Sequence, residues 1–319
     1  MFPVAFRSRL GRRCDPAPSP RAGSSRSFHT PFPFAVSVFR EPFVMSSSPL
    51  GQLLDRVEHD ISLDSPEQLR ERIDVLNRLD ELDGWPPSRR TELTRQRLER
   101  ANSAVYQAIR DAVMRGEGRA AFAPWLTAPA HNGIGYDYLD DVVAGVLQFE
   151  EIGTATVEPT PEMVFYQPTP ARHIFELFDR TALEPDDVLV DLGAGLGHVP
   201  ILAAIATPAR AIGVEVEPAY VACAQRTADS LRLHRASFIE GDARDFDLSE
   251  GTVFYLYTPF SGQMLRSMLD RLALLARSRS IRVCSFGPCS TTLAEESWLE
   301  TTDSIDSGRL VVFQSRSSP

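Results

Sequence analysis

Short apolar runs alternate with longer amphipathic segments through the second half of the chain. The candidate strands are the runs 188–191, 211–215, 236–240, 252–257 and 281–286. The candidate helices between them are the segments 198–207, 218–232 and 261–276. Because strands and helices alternate and the strands are short and rich in Val and Ile, the pattern predicts an α/β fold with a doubly wound, mostly parallel sheet.

The end of the chain departs from this alternation. Residues 298–302 and 310–314 are two strand-like runs, and the turn residues Asp306-Ser307-Gly308 lie between them. A turn between two short runs predicts an antiparallel pair of strands.

The segment 49–118 has the periodicity of helices. Ser65 directly precedes Pro66, and Gln68 follows three residues after Ser65, which predicts that Ser65 caps a helix. A second helix is predicted from about Ser88 to Met114. These helices predict a helical domain over 45–160, in front of a second domain over 161–319.

The piece 131–149 joins these two parts of the chain. It begins as a loop rich in Gly and aromatic residues and continues as a helix-like run. Such a loop either folds over a ligand or only connects two elements. The helical domain is predicted to recognise the substrate because it precedes the α/β part.

The first 44 residues differ in composition from the rest. They carry seven Arg against only Asp15 and Glu41, with many Ser, Pro and Phe. A transit peptide has this composition, whereas Met45 followed by SSSPLGQLLDRVEHD resembles a natural start behind an over-extended gene start. Either origin predicts that 1–44 is a disordered extension.

Composition and charge narrow the classes of function. The net charge is −10 and the pI is about 5.2, which argues against nucleic acid as the main partner. No apolar run approaches the ~20 residues of a membrane-spanning helix, so a cytoplasmic protein without a membrane partner is expected. All 33 basic residues are arginines, which excludes a lysine base or Schiff base. The four cysteines lack the spacing of a zinc site or a disulfide framework, and no metal is predicted.

The strongest chemical signal is the run Asp191–Gly197, DLGAGLG, between a candidate strand and a candidate helix. Glycines at this place let the backbone turn tightly and approach a ligand closely. Glu215 ends the second strand, where a carboxylate can accept hydrogen bonds from ribose hydroxyls. Asp242 follows the third strand, where a carboxylate can accept one from an adenine amino group. Ligands bind at such carboxyl ends of parallel strands, so these residues predict a nucleoside-shaped cleft.

These segments resemble the motifs of class I methyltransferases. VLVDLGAGLGHVPILAA is similar to their first motif, AIGVEVEP to their second and EGDARDFD to their third, and the resemblance covers about 165–319. It implies a seven-stranded fold and S-adenosylmethionine as methyl donor. By this resemblance, Asp191 would lie near the methionine end of the donor, Glu215 would hold its ribose and Asp242 its adenine. The predicted donor-binding residues are Tyr166, Thr169, Asp191, Gly193, Ala194, Gly195, Gly197, Glu215, Asp242 and Ala243.

A nicotinamide dinucleotide is the nearest alternative ligand. Its fingerprint requires a third Gly or Ala three residues after the second Gly, and His198 occupies that position here. The GxGxG spacing and the leading Asp191 therefore favour the methyl donor. His198 is interpreted as a surface residue at the start of a helix. Glu217 is interpreted as a solvated residue at the start of the next helix.

Tyr166 and Thr169 lie in the segment before the first helix of the α/β part. In the superfamily that the sequence resembles, segments with Tyr and Thr-Pro at this place contact the carboxylate of the donor. Thr169 also suits an N-cap with Pro170 as the first helical residue, and the two roles are compatible.

The acceptor side is predicted at the end of the fourth strand, in YLYTPF. Amino-group methyltransferases carry an Asn/Asp/Ser-Pro-Pro-aromatic motif there, and only Pro259 and Phe260 match it. This departure argues against an adenine or glutamine amide as acceptor, whereas some seven-stranded lysine methyltransferases also lack the Pro-Pro motif. Tyr257, Thr258 and Phe260 are predicted to line the acceptor pocket, and a hydrophobic strand end without this role is the alternative.

Three functions remain open from the sequence. The favoured interpretation is a methyltransferase that acts on a nitrogen or other nucleophile of a protein side chain. A methyltransferase of small molecules would enclose its acceptor in a compact cavity, whereas a protein chain requires an open groove. A non-catalytic module that binds the donor or a nucleotide would show binding without turnover.

Overall fold

The computed structural model describes residues 48–84, 86–126, 135–150, 152–153, 156–158 and 160–316. The strands are β1 (Val188–Leu192), β2 (Arg210–Glu215), β3 (Ala236–Glu240), β4 (Val253–Leu256), β5 (Arg282–Ser285), β6 (Leu299–Glu300) and β7 (Val311–Ser315). The helices are α1 (Pro49–Val57), α2 (Leu69–Leu82), α3 (Arg89–Met114), α4 (Gly118–Leu126), α5 (Tyr138–Leu147), α6 (Ala171–Thr181), α7 (His198–Ala206), α8 (Pro218–Ser230), α9 (Gly262–Ala276) and α10 (Cys289–Ala294). The predicted extension 1–44 and the loop residues 131–134 lie outside the described residues.

The seven strands form one sheet in the order β3-β2-β1-β4-β5-β7-β6. The first five strands in this order are parallel to one another, and β7 pairs antiparallel with both β5 and β6. The predicted α/β fold and the antiparallel C-terminal pair are therefore confirmed. Strand order reverses between β1 and β4, and ligands of doubly wound sheets bind at such a switch point.

Of the two predicted starts of N-terminal helices, one is wrong and one is confirmed. Ser65 makes no capping hydrogen bond through its side chain, because a 3₁₀ turn over Pro66–Gln68 precedes α2. The buried guanidinium of Arg72 donates to the backbone carbonyl oxygens of Leu63 and Ser65 and to Asn102 Oδ1, and these bonds hold the turn. By contrast, α3 begins next to the predicted start at Ser88, whose Oγ caps the helix by accepting the Thr91 N–H at 3.1 Å.

The N-terminal helices share much of their core with the α/β part of the chain. Val105, Ile109 and Phe122 from α3 and α4 belong to the same buried cluster as Ile174 of α6 and Ile201 of α7. A smaller cluster lies under α1 and α2. The helical part therefore packs directly on α6 and α7. The domain boundary near residue 160 stays a prediction.

No helix of the described ranges is long and apolar enough to cross a lipid bilayer. In the part of the chain that the structure describes, no three His, Cys, Asp or Glu side chains are grouped so that they could hold a metal ion. Cys223, Cys284 and Cys289 are free and buried.

Candidate donor and acceptor site

The glycine turn after β1 lies at the carboxyl end of the sheet. Gly193 and Gly195 have φ angles of +86° and +54°, which L side chains rarely adopt. A Cβ on Gly195 would approach the Tyr166 ring to 2.0 Å, and one on Gly193 would approach Pro259 Cβ to 2.4 Å. The N–H groups of Gly193 and Ala194 donate to the Val214 carbonyl oxygen at 2.9 and 3.0 Å. The turn is therefore fastened to β2 and cannot accept larger side chains.

Glu215 joins the tips of three strands. Its Oε2 accepts the Gly195 N–H at 2.8 Å, and its Oε1 accepts the Glu217 N–H at 3.0 Å. Its carbonyl oxygen accepts the Gly241 N–H at 2.9 Å, just after β3. Each carboxylate oxygen retains a second lone pair, so the group is oriented and can still accept hydroxyl donors.

Asp242 lies after the tip of β3 and is half-buried. Hydrogen bonds from Arg244, including one from its guanidinium at 2.6 Å, hold the pKa of this carboxyl below its usual range. An ion pair this close to solvent contributes little, about 0–1 kcal/mol, so an adenine amino group can compete for the carboxylate. Ala243 is buried beside it.

Asp191 is buried at the end of β1, with 4% of its surface exposed. Burial, together with the charge of Glu215, raises the pKa of its carboxyl well above the usual value. The Tyr255 hydroxyl lies 3.0 Å from Thr169 Oγ1, and burial with the nearby Asp191 charge raises its pKa as well. Asp191, Thr169 and Tyr255 thus form a polar group beneath the glycine turn.

Thr169 does not cap α6, so this prediction is wrong. Pro170 precedes the helix, and the Ala171 N–H donates instead to Asp140 Oδ1 at 2.8 Å. Asp140 Oδ2 also accepts the Asp137 N–H at 2.7 Å, inside the capping box of α5. One carboxylate of the helical part therefore caps two helices, and the Asp-x-x-Asp pattern from Asp137 to Asp140 was the available sequence signal.

The segment before α5 is held by hydrogen bonds to the residues around Thr169. The Tyr136 hydroxyl donates to the Pro168 carbonyl oxygen at 2.7 Å. The Arg172 guanidinium donates to the Gly135 carbonyl oxygen at 2.7 Å and pairs with Asp137 at 2.8 Å. The described part of this loop is therefore a latch that holds the residues around Thr169, and the fold of the loop over a ligand stays a prediction.

Tyr166 and His198 lie together over the glycine turn. The Tyr166 hydroxyl is 3.2 Å from His198 Nδ1, and its ring contacts that of Tyr220 with centroids 5.2 Å apart. His198 packs on Phe149 at 4.7 Å between ring centroids, and burial lowers its pKa to about 4. His198 is therefore half-buried between Phe149 and Tyr166, and not the exposed surface residue that the sequence suggested.

Glu217 is also not solvated, which corrects the prediction. It is buried, caps α8 and accepts the N–H groups of Thr156 and Val157 at 2.8 and 3.0 Å. Glu162 acts in the same way on α9, where it accepts the Gln263 and Met264 N–H groups. These long-range contacts have no sequence signal.

The predicted acceptor residues lie at the tip of β4. Tyr257 is half-buried against Phe286, with ring centroids 4.8 Å apart, and burial raises the pKa of its hydroxyl. Phe286 also packs against His173 at 4.5 Å between centroids. Phe260 is buried with the residues of α9, and a backbone bridge links it to Met163.

Thr258 has a φ angle of +40°, which is unusual for a β-branched residue and strains the backbone by ~1–2 kcal/mol. Its Oγ1 donates to the Phe286 carbonyl oxygen at 3.1 Å and accepts the Cys289 N–H at 3.2 Å. Its hydroxyl is therefore engaged with the loop after β5.

Gly197 and Ala194 complete the predicted set. Gly197 precedes α7, and a Cβ there would approach the Phe238 ring to 2.4 Å. Ala194 is buried, and its Cβ lies against Gly213. These two residues therefore pack the glycine turn against Phe238 of β3 and Gly213 of β2.

A cavity of about 900 Å³ lies between the N-terminal helices and this site. Pro168, Thr169, Leu196 and His198 form its wall on the donor side, and residues of α2, α3 and α5 form the other walls. Its carboxylates are Asp74, Glu99, Asp137, Asp140, Asp141 and Glu150. Arg70 and Arg172 offset only part of this negative charge.

The residues at the strand tips fit S-adenosylmethionine. The backbone of Gly193 and Gly195 has no Cβ to obstruct a ligand, and the carboxylate of Glu215 is already oriented. Asp242 supplies an acceptor one strand further along. Asp191, Glu215 and Asp242 follow one another at the ends of three neighbouring strands, which is the order in which the sequence resemblance places a methionine end, a ribose and an adenine ring.

Sequence comparisons agree with this geometry. The family model described as "Histone methylation protein DOT1" matches residues 162–251. A "Protein-lysine N-methyltransferase" from Saccharolobus islandicus (strain REY15A) is 28% identical over 109 residues, which are 33% of this chain and 68% of that protein.

Solved methyltransferases overlap with part of the chain. An RNA methyltransferase from Salinibacter ruber, in complex with S-adenosyl-L-homocysteine, is 26% identical with a TM-score of 0.39, and the match covers 46% of this chain and 92% of that one. An S-adenosylmethionine-dependent methyltransferase from Geobacter sulfurreducens, also with S-adenosyl-L-homocysteine, is 23% identical with a TM-score of 0.30, covering 36% and 47%.

The sheet order, the glycine turn and the two acidic strand ends occur together in one chain, and the family match spans all three strand tips. The chain therefore belongs to the class I S-adenosylmethionine-dependent methyltransferase superfamily, and S-adenosylmethionine is its cofactor.

Proposed function

We propose that the enzyme methylates lysine side chains within a basic segment of another protein. The observation that carries this proposal is the cavity of about 900 Å³, which reaches from the N-terminal helices to Thr169 and Leu196. Its carboxylates complement the charge of a segment rich in Lys and Arg. The match to the DOT1 family model and the relative named a protein-lysine N-methyltransferase support the same acceptor class.

The chemistry requires a neutral amine placed in line with the donor. When bound, S-adenosylmethionine supplies a methyl group on a positively charged sulfur atom. Tyr257 is half-buried on the buried ring of Phe286 and offers an aromatic surface at the β4 tip, where desolvation would lower the pKa of a lysine ammonium. Because the donor is already activated, these residues need mainly to orient the amine and exclude water.

The helical part is proposed to supply the acceptor wall. Asp74 lies on α2, Glu99 on α3 and Asp141 on α5, and all three line the cavity. Since α3 and α5 share a core with α6 and α7, deletion of residues 1–160 would expose that core. Point substitutions in the wall therefore test this role better than deletion.

Labelled S-adenosylmethionine tests the acceptor class. We expect methyl transfer to a lysine-rich peptide and none to the same peptide with arginine at every lysine position. Because the enzyme contains no lysine, any methyl-lysine recovered belongs to the acceptor. Label that appears only on an RNA hairpin or on small metabolites from an extract would overturn the proposal.

Neutralising the cavity wall should weaken acceptor binding. The double variant Asp74→Asn/Glu99→Gln is expected to raise KM for the lysine peptide roughly threefold to tenfold, because two charges of the wall are lost. The donor dissociation constant should not change. Steady-state kinetics at low and high salt measure the effect, which should shrink at high salt.

The matched control is Glu71→Gln/Glu92→Gln. Both residues lie on the same two helices, α2 and α3, but outside the cavity lining. Equal increases in KM for the two double variants would show that only net charge matters and would contradict the assigned binding wall.

A further inference from the structure

The backbone at the β4 tip is held in an unfavourable conformation by side-chain contacts. Thr258 is β-branched, yet its φ angle is +40°. Such outliers persist only where the surroundings hold them, and they are concentrated at functional sites. Here the two hydrogen bonds of Thr258 Oγ1, to the Phe286 carbonyl oxygen and from the Cys289 N–H, provide that hold.

The partner loop is built around the same hydroxyl. Gly287 has a φ angle of +92°, and a Cβ there would approach Thr258 Oγ1 to 2.5 Å. Cys289 begins α10, so one hydroxyl joins the tip of β4 to the loop after β5 and to the first turn of that helix. No larger residue than glycine fits at 287 while this contact exists.

The neighbours of Thr258 face the reaction site on both sides. Tyr257 packs on Phe286, whose carbonyl oxygen Thr258 binds. Pro259 lies against the donor turn, since a Cβ on Gly193 would approach Pro259 Cβ to 2.4 Å. A rotation of the backbone at Thr258 would therefore move an acceptor-side residue and a donor-side residue together.

We propose that Thr258 is a positioning residue, which clamps the β4 tip to the β5 loop and so sets Tyr257 and Pro259 at the spacing that methyl transfer requires. This inference rests on the proposed function of the site. It differs from the sequence-based prediction that Thr258 lines the acceptor pocket, because the Thr258 hydroxyl is engaged within the protein.

Thr258→Val and Thr258→Ser form a matched pair that tests the clamp. Valine keeps the shape and the branching but removes the hydroxyl, whereas serine keeps the hydroxyl. We expect kcat with the lysine peptide to fall roughly tenfold in Thr258→Val, because the reacting groups are misplaced. Thr258→Ser should remain close to wild type, and the donor dissociation constant should stay unchanged in both variants.

A purely structural role would give a different result. Wild-type kcat in Thr258→Val, or an equal loss of donor affinity and kcat, would overturn the inference. Exchange of the Cys289 amide hydrogen should accelerate in Thr258→Val and not in Thr258→Ser, and unchanged exchange would also overturn it. If Thr258→Val does not unfold cooperatively, Thr258→Ala removes the same hydroxyl with less bulk and is judged by the same criteria.

The two proposals fail in distinguishable ways. If the lysine acceptor is wrong, the wild-type enzyme itself does not label the lysine peptide. If only the clamp is wrong, the wild-type enzyme labels the peptide and Thr258→Val does so at the same rate.

Discussion

Replacing Glu215 with alanine is expected to raise the dissociation constant of S-adenosylmethionine about 100-fold to 1000-fold. The variant loses the carboxylate that would accept the ribose hydroxyls, and hydrogen bonds to charged groups contribute about 1.5–3 kcal/mol each. It also leaves the N–H groups of Gly195 and Glu217 without their acceptor, so the glycine turn loses its anchor. Both effects act on donor binding in the same direction.

Calorimetry with S-adenosylmethionine and S-adenosylhomocysteine measures this loss. Glu240→Ala is the matched control, because Glu240 lies beside Glu215 in the register of β3 and β2 and is exposed. It should change the dissociation constant less than about threefold, as expected for a solvent-screened charge. Similar losses in both variants would mean that the site needs only negative charge and not the specific acceptor at Glu215.

Stability should depend on pH through two buried groups with opposite effects. Burial, aided by the charges of Asp137 and Asp141, raises the pKa of Asp140 to about 6, although two backbone N–H groups oppose the shift. Between the unfolded value of 3.8 and about 6, the folded state binds more protons than the unfolded state. Asp140 therefore lowers the free energy of unfolding as pH rises through this range, by at most about 3 kcal/mol.

His198 acts in the other direction. Its pKa falls from 6.5 to about 4 because Phe149 and Tyr166 partly desolvate it. Between these values the unfolded state binds more protons, so stability rises with pH by at most about 3 kcal/mol. In the wild-type protein the two slopes partly cancel between pH 4 and about 6.

Urea unfolding from pH 4 to pH 7 separates the two groups. Asp140→Asn removes the falling contribution, so its unfolding free energy should rise more steeply with pH than that of the wild type. His198→Gln removes the rising contribution, so its curve should fall with pH relative to the wild type. Curves that run parallel to the wild type in both variants would contradict these assignments.

The Asp140 result also bears on the donor site. Its carboxylate caps α6, and α6 follows Thr169, whose hydroxyl contacts Tyr255. Asparagine keeps only one oxygen for the two N–H groups that Asp140 accepts. The same variant therefore reports how firmly the helical part holds this segment.

The sequence by itself determined the repeated elements and the chemistry at the strand ends. The runs 188–191, 211–215 and 236–240 became β1, β2 and β3 with bounds that differ by one residue at most. Apolar periodicity and glycine are local signals, and parallel strands bring their carboxyl ends to one edge. The convergence of the glycine turn, Glu215 and Asp242 could therefore be predicted without coordinates.

Only the tertiary structure decided which polar groups are buried and what they hold. Glu217 and His198 resemble exposed helix-start residues in sequence, and distant segments at Thr156 and Phe149 cover them. Asp140 caps α6 across 31 positions of sequence, which no local pattern encodes. Burial and hydrogen bonding between distant segments depend on packing, and for this reason the convergence of the strand ends was predictable while the latch, the cavity and the Thr258 contacts were not.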